Sequence, residues 1–499
     1  MRVNLDTSSL DDYQTFLKIK SLPTYRFRGR EAEFPDEYAS RLGMKSRRRH
    51  SSDTETHPAS FDYQAGISRI AIRRRKYAVF ARMGYGKTLI MFDWTRHAMK
   101  QVPSNRCGLI VAPLMVIEQH IEEWNRFYPD DAGRLEQIGA ADLQSFLDKG
   151  KGKIGITNYE SLRDGLTAGR LAVLAADESS FLKGAYGKWA QRLIDIGRGL
   201  DWKLALTGTP APNDRIEYGN HAVLMDQFPN VNSFLARFFV NRGQTNERWE
   251  LRPHALESFY RSLSHWCIFL NNPSTYGWKD NCKDLPPVHV HIEDVPLTHE
   301  QESKIQGFTG GLFATRIGGI TSRAALGQIA KGHYKGEEIP TNKPDFIRRM
   351  VDSWPTESTI IWCMYNGEQE QIERTFPEAA SIDGDTPHEQ RVNILRRFKA
   401  GAVKTLISKT KVLGYGLNLQ VATRHVFSGI ADSYESFVQA VARSNRVGST
   451  KPLNVHIPVT DIEREMVDNV LRKAKRVQQD TEYQEQLFKK CGLFEETNE

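Results

Sequence analysis

Three short segments of this 499-residue chain carry residue types that handle phosphate. They are Gly84-Tyr85-Gly86-Lys87-Thr88, then Asp177-Glu178-Ser179-Ser180, then Arg443-Ser444-Asn445-Arg446. Gly84 and Gly86 let backbone N–H groups approach phosphate oxygens, Lys87 can reach the β- and γ-phosphates, and the Thr88 hydroxyl is a magnesium ligand. Asp177 is expected to hold magnesium, directly or through water, while Glu178 orients and deprotonates an attacking water. Arg443 and Arg446, three apart on one face of an expected helix, would neutralise charge on a leaving γ-phosphoryl, an effect worth about 10³ to 10⁵ in rate. Jointly these are the parts of a nucleoside triphosphatase that uses ATP and Mg2+. Ala81 stands at the first glycine of the strict G-x-x-x-x-G-K-[ST] pattern, so the reading rests on the three segments together.

Such groups act only if a scaffold brings them together. Short apolar, β-branched runs recur at Tyr77–Ala81, Cys107–Ala112, Lys153–Thr157, Leu171–Ala176 and Lys203–Thr207, separated by helix-patterned stretches. Strands alternating with helices imply right-handed crossovers and a parallel sheet covered on both faces. The phosphate-binding turn then follows one strand and opens a helix, and Asp177-Glu178 sits at the carboxyl end of another. Thr207-Gly208-Thr209-Pro210 ends a third strand, where its hydroxyls could sense the γ-phosphate. Ahead of the glycines, Gln64 carries both donor and acceptor groups able to read an adenine edge.

After about residue 214 the alternation lapses into a mostly helical stretch that includes the aromatic-rich Ser258 to Leu270, followed by a strand-like Val288–Val295. It resumes with strands at Ser358–Cys363, Ala379–Asp383, Lys404–Ser408, His425–Ser428 and Asn454–Val459. The expected fold class is α/β, with two parallel-sheet lobes, a helical insertion and a small N-terminal module. The corresponding boundaries are 1–50 for an accessory module with DNA binding as its candidate role, 58–220 for the first lobe and 221–340 for the insertion and connection. The second lobe takes 341–460, and a C-terminal helical brace takes 461–499, where Ile462, Met466, Val470 and Val477 keep near-helical spacing. Ser51 to Pro58 reads as a polar linker.

Lys and Arg number 68 against 61 Asp and Glu, an excess that suits a polyanionic partner. The basic residues cluster at Arg41, Lys45, Arg47, Arg48 and Arg49, and again at Arg73, Arg74, Arg75 and Lys76 just before the phosphate loop. The five cysteines are scattered with no C-x-x-C pair, which points away from a disulfide framework or a zinc site. No apolar run approaches the ~18 residues of a membrane span, and the first residues lack the apolar stretch of a signal peptide. A soluble protein of the cytoplasm, bacterial or of an infected host cell, with no membrane partner, is the expectation; no protein partner is legible.

The ordered set of motifs resembles helicase superfamily two, specifically its Swi/Snf-type double-stranded DNA translocases in a compact bacterial or phage form. The resemblance spans about residues 58 to 460. It is carried by Tyr63-Gln64-Ala65-Gly66, the phosphate loop, Ala112-Pro113-Leu114 with Trp124, Thr157-Asn158-Tyr159-Glu160, and Asp177-Glu178 with Lys183. It continues through Leu206 to Asn213, Leu297-Thr298 with Gln301, Asp383-Gly384 with Arg391, Gly416 to Gln420, and Gln439 to Gly448. The family implies two RecA-like lobes with ATP and magnesium in the cleft. Double-stranded or branched DNA would lie across both, with Pro113, Thr157, Tyr159 and Asn418 as candidate contacts to its backbone. Such contacts track DNA without reading sequence. Ser179-Ser180 stand where the family usually has Ala-His, so the histidine link between hydrolysis and lobe movement must be replaced or weakened. Asn445 and Ser449 stand where it often has His and Gln. Phe16 to Pro23 and Phe34-Pro35 loosely resemble a small DNA-junction-recognising module that precedes some annealing helicases. Two other readings stay open: a strand-separating DNA or RNA helicase, and a nucleic-acid-binding scaffold with a degenerate ATPase. The intact Lys87, Asp177, Glu178, Arg443 and Arg446 weigh against the scaffold, and Ser180 weighs for it.

Overall fold

A computed structural model describes residues 1–44, 54–184, 187–211, 214–243, 249–281, 285–309, 320–413, 417–430, 434–446 and 448–490. The basic residues Lys45, Arg47, Arg48 and Arg49, residues 51–53 of the expected linker, and Gly416 lie outside the described residues. The chain divides into two compact units. One comprises Met1–Arg82, Gly86–Asp280 and Asp480–Glu499, the other Met83–Tyr85 and Asn281–Gln479.

The first unit begins with β1 (Arg2–Asn4), α1 (Leu10–Lys20), β2 (Arg26–Arg28) and β3 (Glu31–Glu33), which make an antiparallel sheet ordered β1-β3-β2 with one helix. The Ser9 side chain caps α1 by accepting from the Asp12 N–H; Asp11 and Asp12 open the helix and Lys18 and Lys20 close it, matching the helix dipole. Ile19, Leu22, Ala32, Phe34 and Tyr38 give this module its own small core.

Next come α2 (Asp62–Arg74), β4 (Lys76–Ala81), α3 (Lys87–Gln101), β5 (Cys107–Ala112), α4 (Ile117–Phe127), β6 (Leu135–Gln137), α5 (Leu143–Lys149) and β7 (Ile154–Asn158). They are followed by β8 (Leu171–Ala176), α6 (Lys188–Gly197), β9 (Trp202–Thr207), α7 (Tyr218–Leu224), α8 (Val231–Phe238), a hairpin of β10 (Phe239–Asn241) and β11 (Trp249–Leu251), α9 (Leu256–Leu263) and β12 (Cys267–Leu270). Seven of these strands form one all-parallel sheet in the order β12-β4-β9-β8-β5-β7-β6. Helices cover both faces of such a sheet, and for that reason its strands read as unbroken apolar runs rather than alternating ones.

Several segments depart from the sequence reading: the β10–β11 hairpin and the antiparallel pair His333–Tyr334 with Glu337–Glu338 lie in the stretch read as mostly helical, and so does an edge strand of the main sheet. Cys267–Leu270 falls inside a stretch that reads as helical, yet it forms the edge strand β12 beside β4. A run of four apolar residues fits a buried strand and a helix turn equally well, and the pairing partner, nearly two hundred residues earlier, decides.

The second unit contains β13 (Val288–Asp294), α10 (His299–Thr309), α11 (Ile320–Ala330), the two-stranded β14 (His333–Tyr334) and β15 (Glu337–Glu338), α12 (Lys343–Asp352), β16 (Thr359–Cys363) and α13 (Asn366–Thr375). It continues with β17 (Ala380–Ile382), α14 (His388–Lys399), β18 (Thr405–Lys409), α15 (Thr410–Leu413), β19 (Arg424–Phe427), α16 (Tyr434–Val441), β20 (Leu453–Val459) and α17 (Asp461–Lys490). Its sheet is also all-parallel, in the order β13-β20-β19-β16-β18-β17. Ile347, Ile361, Ile372, Phe376, Ile407 and Val426 form a core between this sheet and its helices. The protein thus has two parallel-sheet α/β lobes, preceded by a small module.

Charge is buried in the second unit as well. Glu463, in the first turn of α17, takes Lys331 Nζ at 2.8 Å and Lys343 Nζ at 2.6 Å, with all three side chains almost wholly buried. The same carboxylate accepts from the Thr460 N–H at 3.1 Å, so it caps α17 while pairing two lysines.

Candidate functional site

Two of the three expected phosphate-handling segments follow strands β4 and β8 of the first unit's sheet, at their carboxyl ends. β4 and β8 both flank β9, so the turn after β4 and the Asp177-Glu178 turn after β8 lie one strand apart. Ligands in open parallel sheets bind at this edge. Lys87 is the first residue of α3, and its Nζ donates to the Ala81 carbonyl at 3.2 Å, folded back over the turn.

The turn itself requires glycine. Gly84 and Gly86 have φ of 88° and 65°, in the left-handed region that L side chains avoid. A Cβ on Gly86 would also stand 2.2 Å from Gln64 Nε2. Gln64 is buried; its Oε1 accepts from the Phe61 N–H at 2.8 Å and its Nε2 donates to the Gly86 carbonyl at 3.2 Å. It therefore ties the start of α2 to the phosphate loop.

Asp177 and Glu178 are both buried. Burial pushes the Asp177 carboxyl up, but the hydrogen bond from His120, together with the nearby Lys87 charge, outweighs it and holds the group below its ordinary value. An ionised carboxylate at the end of β8, one strand from the turn that carries Thr88, supplies oxygen donors of the kind a hard divalent cation takes. His120 donates from Nε2 to Asp177 Oδ2 at 2.9 Å. The sequence reading missed this residue, although one signal was there: His120 sits with Ile117 and Trp124 on the buried face of α4, a polar ring in an apolar stripe.

Glu178 has φ 47° and ψ 48°, an uncommon conformation for a residue with a side chain. The Tyr159 hydroxyl donates to the Asp177 carbonyl at 2.8 Å, and the Tyr159 ring stacks on Phe181 at 4.6 Å. Burial first, and then the charges of Asp177 and Glu178, push the Tyr159 phenol well up, so it stays a donor. Thr157 is also fully buried, with its hydroxyl on the Ile138 carbonyl at 2.8 Å. Pro113 is buried, while Leu114 beside it is exposed. The Thr157 and Tyr159 side chains therefore point inward, and any strand contact from these positions falls to the main chain. Asn418, in the second unit, is exposed, and its Oδ1 accepts from the Gln420 N–H at 3.3 Å.

Also in the second unit, Arg443 and Arg446 do not share a helix face. α16 ends at Val441, because the Arg443 carbonyl is taken by the Leu419 N–H at 2.9 Å and bonds of the tighter i to i+3 type close the last turn. Arg443 is buried and its Nε donates to the Gln439 carbonyl at 2.9 Å; Arg446 Nη1 donates to the Leu417 carbonyl at 3.2 Å. Both guanidinium groups are thereby fixed on a turn rather than on a helical surface.

Among the described residues no cluster of His, Cys, Asp or Glu forms a multi-ligand metal centre, Cys107, Cys267 and Cys363 are buried free thiols, and no helix is long and apolar enough to cross a membrane.

Two family descriptions match the chain: "Type III restriction enzyme, res subunit" over residues 59–188 and "Helicase conserved C-terminal domain" over residues 342–448. Protein p41 of Acyrthosiphon pisum secondary endosymbiont phage 1 is 21% identical over 461 residues, which cover 84% of this chain and 96% of that protein. The DNA annealing helicase and endonuclease ZRANB3 of Bos taurus is 24% identical over 430 residues, 78% of this chain and 37% of its own length. The SWI/SNF chromatin-remodeling complex subunit snf22 of Schizosaccharomyces pombe is 23% identical over 440 residues, 79% and 26% respectively. The chain thus spans nearly all of the phage protein but only about a quarter to two fifths of the two larger relatives.

Proposed function

We propose, from the premise that this chain is a Swi/Snf-type member of helicase superfamily two and hence a nucleic-acid-dependent ATPase, that it couples ATP hydrolysis to movement along double-stranded DNA. The observation that carries the reading is the pairing, one strand apart, of a glycine-built phosphate turn with an ionised Asp177 and its neighbour Glu178.

In this reading the backbone of Gly84 and Gly86 and the N-terminus of α3 cradle phosphate oxygens, and Lys87 leaves the Ala81 carbonyl to reach the β- and γ-phosphates. Gln64 contacts the base and, through Gly86, carries its presence to the loop. Thr88 and Asp177 hold magnesium, which neutralises phosphate charge when bound. Glu178 accepts the proton of the attacking water as it adds to the γ-phosphorus and ADP departs. Arg443 and Arg446 balance the charge that develops on the transferring group. Pro113, Thr157 and Tyr159 through their main chains, and Asn418 through its side chain, touch the DNA backbone, so movement is independent of sequence. Residues 58–220 and 341–460 carry most of the two motor lobes, but β12 and β13, from within the stretch 221–340 expected to be insertion and connection, complete their sheets; residues 461–499 are the brace. Residues 1–50 are an accessory module that binds DNA, with forked or branched DNA as its candidate ligand.

The test is steady-state ATP hydrolysis with no nucleic acid, duplex DNA, single-stranded DNA, a branched junction or RNA, with Glu178→Gln as the blank. Stimulation by duplex or branched DNA supports translocation. Stimulation by single strands or RNA alone overturns it in favour of strand separation, and absence of turnover with every polymer overturns it in favour of a binding scaffold. Lys87→Ala should abolish turnover; wild-type rates in that variant would remove the phosphate-loop assignment.

A further inference from the structure

We propose that His221 and Asn220 of α7 are positioning residues that hold the Asp177-Glu178 turn in its active geometry, His221 acting through Ser179. The inference rests on the functional reading above and extends it to residues that no motif singles out.

The backbone at Glu178 is strained, and strain of this kind persists only where the surroundings over-determine it. On the amino-terminal side Tyr159 and His120 supply the restraint. On the carboxyl-terminal side the restraint begins with the local backbone. A single tight turn follows, with the Phe181 N–H reaching the Glu178 carbonyl at 3.4 Å and the Lys183 N–H reaching the Ser180 carbonyl at 3.1 Å. Ser180 Oγ lies 3.5 Å from the Glu178 carbonyl, at the limit of a hydrogen bond.

α7 adds restraint from two adjacent side chains. His221 Nε2 and Ser179 Oγ are hydrogen-bonded at 3.0 Å, and neither residue has any solvent exposure. Asn220 Nδ2 donates to the carbonyls of Leu182 and Gly184, each at 2.7 Å. The ring of His221 also meets Phe80 of β4 edge to face at 5.2 Å, so one side chain touches both the strand that feeds the phosphate loop and the turn that carries Glu178. Burial lowers the His221 pKa to about 4, so the ring is neutral near pH 7 and its bond to Ser179 does not switch there. The histidine absent from position 180 is thus matched by one delivered from α7, which follows the Thr207 to Pro210 segment along the chain.

Four variants test this: Ser179→Ala, His221→Leu, His221→Gln and Asn220→Ala. They are read by kcat and KM for ATP with duplex DNA, by amide hydrogen exchange over residues 177–184 without nucleotide, and by thermal unfolding. A misplaced catalytic group commonly costs up to about a hundredfold, so Ser179→Ala and His221→Leu should each lower kcat by about tenfold or more. KM should stay within about threefold, since His120 and Tyr159 still hold Asp177 from the other side. The Ser179→Ala/His221→Leu double variant should be no slower than the slower single, because both remove one interaction. His221→Gln, which keeps a hydrogen-bonding end, should recover most of the rate. Exchange over 177–184 should quicken in His221→Leu and Asn220→Ala but not in His221→Gln. Multiplicative losses in the double variant, or unchanged exchange in His221→Leu and Asn220→Ala, overturn the proposal. If His221→Leu fails to fold, the smaller deletions Ser179→Ala and Asn220→Ala carry the decision. A wild-type protein without nucleic-acid-stimulated turnover refutes the functional reading instead, and the exchange experiment still decides the positioning role.

Discussion

At Gly86 backbone and side-chain constraints coincide. A left-handed conformation costs a residue with a Cβ about 1–2 kcal/mol, and the Gln64 amide occupies the space a methyl group would need. Gly86→Ala should therefore weaken ATP binding by at least about tenfold, the equivalent of about 1.4 kcal/mol. Fluorescent-nucleotide titration in a Glu178→Gln background would measure it. Gln64→Ala removes the base contact and should weaken binding by itself; in that background Gly86→Ala should cost less than it does alone if the amide clash contributes, and the same if strain at φ 65° is the whole cause. The residue identities at this turn are legible in the sequence, since the glycines, Lys87 and Thr88 are consecutive and their chemistry is local. His120 and His221 are less so: their partners lie 57 and 42 residues away, and nothing in the spacing announces the pairing.

At the scale of elements, the strands of both sheets stand out as short apolar runs, because strands buried on two faces have no polar side to interrupt them. Short or edge elements such as β6 and β12 do not, and neither does the end of α16, which is set by the Leu419 N–H from another segment. The Lys331, Lys343 and Glu463 group is likewise a product of tertiary packing, joining α11, α12 and α17. Removing one partner from a buried charge group typically costs about 3–5 kcal/mol, because the remaining charges lose their counterion. Glu463→Gln should show a loss of that order in urea unfolding, whereas converting all three residues to Met should be much milder. Burial raises the Glu463 carboxyl, but the two lysines outweigh it and bring its pKa down to about 2 from an ordinary 4.5. A depressed acid stabilises the fold above its unfolded pKa and loses that contribution as pH falls. The wild type should therefore lose stability relative to Glu463→Gln between about pH 4.5 and pH 2 and show no such difference in slope from pH 6 to 8. Parallel pH-dependent melts of the two proteins would reveal a missing difference.

For the molecule as a whole, the net charge of +7 frames the interaction with a polyanion. Each phosphate neutralised by Lys or Arg contributes about −0.9 to the slope of log affinity against log salt, so four such ion pairs would cost about a hundredfold over a fourfold rise in salt. Duplex affinity should fall steeply with salt and be the same for unrelated sequences; a flat salt response measured by fluorescence anisotropy would argue against backbone tracking. By itself the sequence determined the α/β class, the two strand series, the phosphate turn and the acidic pair, because each depends on residues close together in the chain and on the period of one element. Tertiary structure alone decided that Thr157 and Tyr159 turn inward, that Arg443 and Arg446 sit on a turn, and that α4 and α7 deliver histidines to the acidic turn. Those outcomes depend on which buried polar group finds which partner, a competition settled by packing between distant segments rather than by local pattern.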